Sequence, residues 1–213
     1  MKVLRMRTPR RAAVLLGAVV ALASGCNKHV DNTVHFTDAI NTYYSAHPEC
    51  LWKTPVKFPV QADTSDTSKT SPYDALVDQG LLARSSDEKR VMIVASKQVN
   101  NYDLSEKGRA AWVADPEQPG VGNFCYGRRK VTRIDSSTPT SDERGATTVV
   151  TYHYTVADAP AWAAAEETKN AYPELRAVLD GTHSGQAILI ETNEGWKVGR
   201  TGPIAPAPAP SGS

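Results

Sequence analysis

The chain predicts an α+β fold, with a small helical amino-terminal half and an antiparallel sheet carrying one packed helix in its carboxyl-terminal half. Two observations carry this. Between residues 33 and 115, apolar residues recur with helical spacing and Ser, Pro and Gly mark helix ends. After the stretch Asp115 to Gly122 (DPEQPGVG), the pattern changes to β-rich runs that alternate with period two.

The first helix is expected over Thr33 to Ala46, where Phe36, Ile40, Tyr43 and Tyr44 form one stripe and Pro48 follows as a stop. Lys53 to Thr70 mixes proline with polar residues and reads as a loop, with a short extended piece at Val56 to Val60. A second helix is expected over Pro72 to Gln79. Ser71 stands as N-cap, Pro72 at the first helical position, Asp74 where a capping box wants an acid, and Gly80 as the stop. Leu81 and Leu82 open a strand. Polar residues Arg84 to Arg90 read as a turn, Val91 to Ala95 and Gln98 to Leu104 as strands, and Ser105 as the cap of a helix over Glu106 to Ala114.

Beyond residue 122, strands are expected over Asn123 to Ile134, Thr147 to Val156, Gln186 to Glu191 and Trp196 to Gly199. Asp135 to Gly145 separates the first two as a hairpin tip. Within TTVVTYHYTV, Thr148, Val150, Tyr152, Tyr154 and Val156 share one face; Thr147, Val149, Thr151, His153 and Thr155 share the other. A helix over Ala161 to Ala171, led in by Asp158 and Pro160, ends before Pro173, and a further turn covers Glu174 to Leu179. The last hairpin turns at Asn193-Glu194-Gly195. Pro203 to Ser213 (PIAPAPAPSGS) favours extended polyproline II and builds no core; it reads as a solvated tail or as a ligand for a partner domain.

The segment Tyr73 to Trp112 reads YDALVDQGLLA, a polar hairpin, then YDLSEKGRAAW. It resembles the second half of a winged-helix domain, in which a helix ends in a Gly-Leu-Leu step, enters a wing hairpin, and closes on a Leu-Ser-x-x-Gly turn into another helix. The resemblance implies a winged-helix-like architecture for this half. It implies no DNA-binding residue, because fold does not carry function.

The amino terminus is of another kind. Lys2, Arg5, Arg7, Arg10 and Arg11 precede an uncharged apolar run from Ala12 to Leu22, and Ala23, Ser24 and Gly25 lead into Cys26. These are the parts of an export signal. The run of about 11 residues falls well short of the roughly 20 of a spanning helix. A cysteine directly after the small residues resembles the lipobox of bacterial lipoproteins, although Leu22 sits four rather than three positions before it. That resemblance implies cleavage before Cys26, diacylglycerol on its thiol and acylation, palmitate included, of the new amino terminus. The alternative is an ordinary signal peptide with Cys26 as a bystander. Arg10-Arg11 matches a twin-arginine signal only weakly. Asn27, standing where Asp would signal inner-membrane retention, favours the periplasmic face of the outer membrane.

The expected organisation is therefore a leader at 1–25, the lipidated cysteine and a short tether at 26–32, a helical half at 33–115, a sheet half at 123–200 and an Ala/Pro-rich tail at 203–213. Six tether residues, Asn27 to Asn32, reach about 20 Å, so the folded part is expected close to the bilayer. The whole chain carries 24 basic and 23 acidic side chains; removing the five basic residues of the leader leaves 19 against 23, a net charge of about −4. Nucleic-acid binding and anionic headgroup binding both call for clustered cations, so neither is expected. Cys50 and Cys125 remain as a pair, which in an oxidising compartment favours a disulfide over a Cys/His metal site; His47, in HPEC beside Cys50, is one weak metal pair at most.

No catalytic constellation, cofactor motif or metal-ligand set stands out. His153, with Tyr152, is the candidate for a pocket wall in the sheet half. Adjacent Glu166 and Glu167 diverge by about 100° on a helix. Asp142, Glu143 and Arg144 fall in a loop, and Gly120, Gly122 and Gly127 do not make a phosphate cradle. Arg128, Arg129 and Lys130 alternate faces on a strand, as a solvated edge or an anion site. Trp52, Trp112, Trp162 and Trp196 read as core or interdomain anchors. Two functions are expected: a non-catalytic lipid-anchored module for an envelope-protein or cell-wall partner, or a small-ligand binder or enzyme with its pocket in the sheet half.

Overall fold

The computed structural model describes residues 32–92 and 95–202, side chains from 90 to 95 excepted. The leader, Cys26, nearly all of the tether and the tail from Pro203 lie outside the described residues. In chain order the elements are α1 (Thr33–Ala46), β1 (Glu49–Cys50), β2 (Val56–Lys57), β3 (Val60–Asp63), α2 (Thr67–Asp78), β4 (Leu82–Met92), β5 (Ala95–Leu104), α3 (Glu106–Ala111) and β6 (Trp112–Ala114), followed by β7 (Val121–Ser137), β8 (Thr147–Ala157), α4 (Ala161–Ala164), α5 (Glu166–Ala171), α6 (Pro173–Leu179), β9 (His183–Thr192) and β10 (Gly195–Gly202). The fold is α+β with antiparallel strand pairing throughout the described residues.

Two sheets organise the chain. The larger runs β1-β7-β8-β9-β10, with β2 and β6 also paired to β7; the smaller has the order β3-β5-β4. The helix that covers the larger sheet is α1, from the opposite half of the sequence. Its stripe of Phe36, Ile40 and Tyr44 is buried against Val131, Val150, Tyr152, Leu189 and Trp196. The Phe36 and Trp196 rings meet edge to face at 5.1 Å. Asn41 of α1 also accepts the backbone N–H of Val131 at 2.9 Å, where the β7–β8 register shifts. The expected helix over 161–171 is instead broken at Ala165, which is extended (ψ 138°), into α4 and α5. Its residues are Ala- and Glu-rich, without a stripe wide enough to cover a sheet.

A second core gathers Leu76, Leu81, Leu82, Tyr102, Phe124, Tyr126, Trp162 and Leu175. It draws on both sides of the 115–122 loop. Gly80 ends α2 with φ +71°, a conformation that costs other residues about 1–2 kcal/mol. Ser105 caps α3 by accepting from Gly108 N–H at 2.8 Å and donates to Gly80 C=O at 2.6 Å, tying the two helices at one point.

Several boundaries move from their sequence-based positions. Helix α2 starts at Thr67 rather than Pro72, so Pro72 lies inside it and gives up one helical bond near its exposed first turn. Asp74 is no cap: it pairs with Arg84 at 2.7 Å and accepts from the Tyr102 hydroxyl at 2.9 Å. The polar stretch Arg84 to Arg90 belongs to β4 rather than to a turn, because this sheet leaves the side chains of Arg84 to Lys89 in solvent. Helix α3 stops at Ala111, and Trp112–Ala114 becomes β6 against β7.

Candidate functional site

The disulfide expected between Cys50 and Cys125 is present, joining residues that face each other across β1 and β7. Cys50 is thus withdrawn from any metal site with His47, whose Nδ1 lies 2.7 Å from the Tyr43 carbonyl. Among the described residues, no group of three or more His, Cys, Asp or Glu is placed to hold a metal ion. No helix among them is long and apolar enough to cross a membrane.

Strand alternation separates the two residues proposed for one pocket wall. Tyr152 points into the core under α1, fully buried, with its hydroxyl 3.1 Å from that of Tyr44. Burial, with Tyr44 second, raises its pKa. The Arg129 guanidinium lies over the rings of Tyr44 and Tyr154, at 4.9 and 4.7 Å, and pairs with Glu49. Arg129 is therefore already neutralised, and Arg128 is held by Asp158 at 2.5 Å. The basic run lines a cavity of about 220 Å³ with Asn41 and Ser45.

His153 points to the opposite face, and there the sheet assembles something that was not expected. Its Nδ1 lies 2.6 Å from Asp135 Oδ2 on β7, and its Nε2 lies 3.3 Å from Ser184 Oγ on β9. Arg133 braces the same carboxylate at 2.8 Å. The order carboxylate, imidazole, hydroxyl is that of a relay in which the base takes the proton of a hydroxyl nucleophile. The sequence places Asp135 in a hairpin tip and starts the later strand at Gln186, beyond Ser184, so nothing in it puts either residue beside His153.

Two larger concave surfaces among the described residues lie elsewhere. A groove of about 460 Å³ runs between α1 and β10, over Trp196, with Asp38, Thr42 and Lys197 on its sides. A second cleft, of about 350 Å³, opens where α2, β3 and the junction of α5 and α6 meet; Trp52, Tyr73 and Tyr172 line it, and Ala62 lies among them. Each ring is placed by a distinct device. The Asn123 side chain on β7 takes both backbone polar groups of Trp52, accepting its N–H at 3.1 Å and donating to its C=O at 2.6 Å. Tyr172 donates its hydroxyl to Pro72 C=O at 3.0 Å. Tyr73 stacks obliquely on buried Tyr102 at 5.1 Å. Burial raises the pKa of both Tyr73 and Tyr172, so both remain protonated donors at neutral pH. Three half-buried aromatic rings facing an open cleft offer flat apolar faces with polar edges, a surface that binds rather than reacts. Of the four tryptophans expected as anchors, Trp162 and Trp196 are buried, and Trp52 and Trp112 are half-buried against Phe124, Trp52 also forming a wall of the cleft.

Comparison with protein-family models, with characterised proteins and with solved structures returns no match for this chain.

Proposed function

We propose that this chain is a lipoprotein held by Cys26 at the periplasmic face of the outer membrane, and that its folded unit is a non-catalytic interaction module. The aromatic cleft of Trp52, Tyr73 and Tyr172 carries the reading of the folded unit. The leader ending at Cys26 and the start of α1 at Thr33 support an anchor with a short tether. The succession of α2, the Gly80-Leu81-Leu82 step, the β4–β5 hairpin and α3 after Ser105 favours a winged-helix-like framework for the cleft side. The partner is an envelope protein or the cell wall.

Metabolic labelling with an alkynyl palmitate tests the anchor. The wild-type chain takes up label and fractionates with the outer membrane; Cys26→Ala loses the label and appears in the periplasmic extract. Retention of Cys26→Ala in the membrane pellet would reject the anchor. A photocrosslinker in place of Lys69, on the cleft rim, should trap one dominant cell-envelope species in cells, lost with Cys26→Ala. Diffuse labelling would reject the module.

A second reading is favoured by the Asp135–His153–Ser184 relay: the outer sheet face is a hydrolytic site with Ser184 as nucleophile. A fluorophosphonate probe would then label the wild type but not Ser184→Ala, and an unlabelled wild type would eliminate this reading.

A further inference from the structure

We infer that Arg128 and Lys130 on β7 form a binding site for a phosphate group, with Asp158 as an internal anion that the ligand displaces. The site is separate from the aromatic cleft and does not depend on how that cleft is used. Arg128, Arg129 and Lys130 line one cavity of about 220 Å³ with Asn41, Ser45 and Asp158. The three cations differ in what they can offer. Arg129 is fixed: it pairs with Glu49, donates to the Tyr44 hydroxyl at 3.2 Å and lies over two tyrosine rings. Arg128 is engaged by Asp158. Among the described residues, Lys130 has no carboxylate within ion-pair distance. Three cations therefore meet two carboxylates, and the excess charge rests on Lys130. Asn41 takes the Val131 N–H on its side-chain oxygen, which leaves its amide N–H groups as further donors.

Asp158 is held there on a strained backbone. Among the described residues it is the one residue other than glycine with positive φ, at +62°, a conformation that crowds Cβ against the following carbonyl and that gathers at ligand clamps. Its position is built by the sheet. Asp158 directly follows β8, whose last residue, Ala157, pairs with Arg128. Gly127 lets the two strands close up at this point, since a Cβ there would stand 2.5 Å from Val156 Cγ1 and 2.7 Å from the Ala157 carbonyl oxygen. The Asp158 carboxylate thus marks where an anion's oxygens reach Arg128. With 63% of its side chain exposed, it can turn out to solvent without moving the core. The charges then select the ligand. A monocarboxylate would exchange like for like at Arg128 and leave Lys130 unanswered. A phosphate monoester carries about −1.5 to −2 at neutral pH and answers both, the guanidinium offering it two parallel hydrogen bonds and the ammonium a point charge. The cavity is smaller than the roughly 300–1,000 Å³ of pockets for drug-sized ligands, so it suits a phosphate group rather than a nucleotide.

The test is isothermal titration of the full-length protein with inorganic phosphate, in an uncharged detergent and a mildly alkaline buffer of low ionic strength. One phosphate per chain is expected to bind. Arg128→Gln and Lys130→Gln should each weaken it roughly tenfold or more, and Asp158→Asn should tighten it by a similar factor. Asn tolerates the positive φ while withdrawing the competing charge, and a gain in affinity cannot come from a misfolded variant. Acetate should bind at least tenfold more weakly than phosphate. Arg144→Gln, in the exposed loop after β7, should change nothing. Displacement of phosphate by glycerol phosphate alone identifies a soluble phosphate ester as the source, and displacement by phosphatidate vesicles as well identifies a lipid headgroup; both support the inference. Phosphate binding no tighter in Asp158→Asn than in the wild type would overturn it. So would Arg144→Gln weakening binding as much as Lys130→Gln, the mark of diffuse charge screening, or the absence of binding in both the wild type and Asp158→Asn.

Discussion

Asn123 holds the backbone of Trp52 by both of its polar groups, across 71 residues of sequence and from a buried position on β7. One side chain thereby does for an irregular segment what a sheet ladder does for a strand. It also fixes the indole that forms a wall of the cleft.

Replacing Asn123 with alanine leaves the Trp52 N–H and C=O unpaired in a half-buried place. The expected cost is about 1–3 kcal/mol, read as a lower urea midpoint with an unchanged slope. Trp52 should also become more accessible to an aqueous quencher. A loss of stability without that change in quenching would show that the clamp does not position the ring.

The Cys50–Cys125 bridge closes a segment of 75 residues. In the chain-entropy account this is worth about 4 kcal/mol. The paired Cys50→Ser, Cys125→Ser variant should lose stability of that order in urea, and the wild type should fall to the same midpoint in reductant. Equal stability with and without reductant would contradict the contribution.

Gly108 and Gly145 make a contrast. A Cβ on Gly108 would stand 1.9 Å from the Leu81 carbonyl oxygen, whereas one on Gly145 meets nothing within 4 Å. Gly108→Ala should force the α2–β4 junction away from α3 at a cost of about 3 kcal/mol, the upper range for overpacking. Gly145→Ala bears only the strain of φ +85°, about 1–2 kcal/mol. Thermal unfolding of the two variants checks the order.

Asp63, on β3, bonds Lys97 of β5 at 2.9 Å, and that bond, with further ones from Ser65, lowers its pKa to about 2. A carboxylate depressed in the folded state stabilises fully above its unfolded pKa, near 4, and loses that contribution as pH falls toward 2. Asp63→Asn should therefore flatten the acid limb of the stability curve between about pH 4 and 2, with little change in shape above it. Carboxyl carbon shifts followed by NMR give the midpoint directly; a midpoint near 4 would refute the lowered value.

Legibility in the sequence followed the strength of each local signal. The α1 stripe and the two faces of Thr147 to Val156 are periodic over many residues, and the structure places them as expected. The disulfide was legible because two cysteines were left to pair. Arg84 to Arg90 was misread because an exposed strand in a small sheet carries the polar composition of a turn. The relay was illegible for a related reason: Asp135 and Ser184 sit at strand ends that extend past the apolar run, and only cross-strand register brings them to His153. The cleft was beyond reach altogether, since Trp52, Tyr73 and Tyr172 come from three distant segments. Register and tertiary proximity are properties of pairing, which local periodicity does not encode.

The edge-to-face meeting of Phe36 and Trp196 has a consequence for the order in which the chain folds. It joins the first element of the folded unit to the last, so the α1 core cannot close while the carboxyl-terminal strand is still emerging. The β4–β5 hairpin needs only neighbouring residues and can form early; the core under α1 must wait for β10. A chain exported amino terminus first would cross the membrane with its principal core unbuilt and would complete it only after the last strand had arrived.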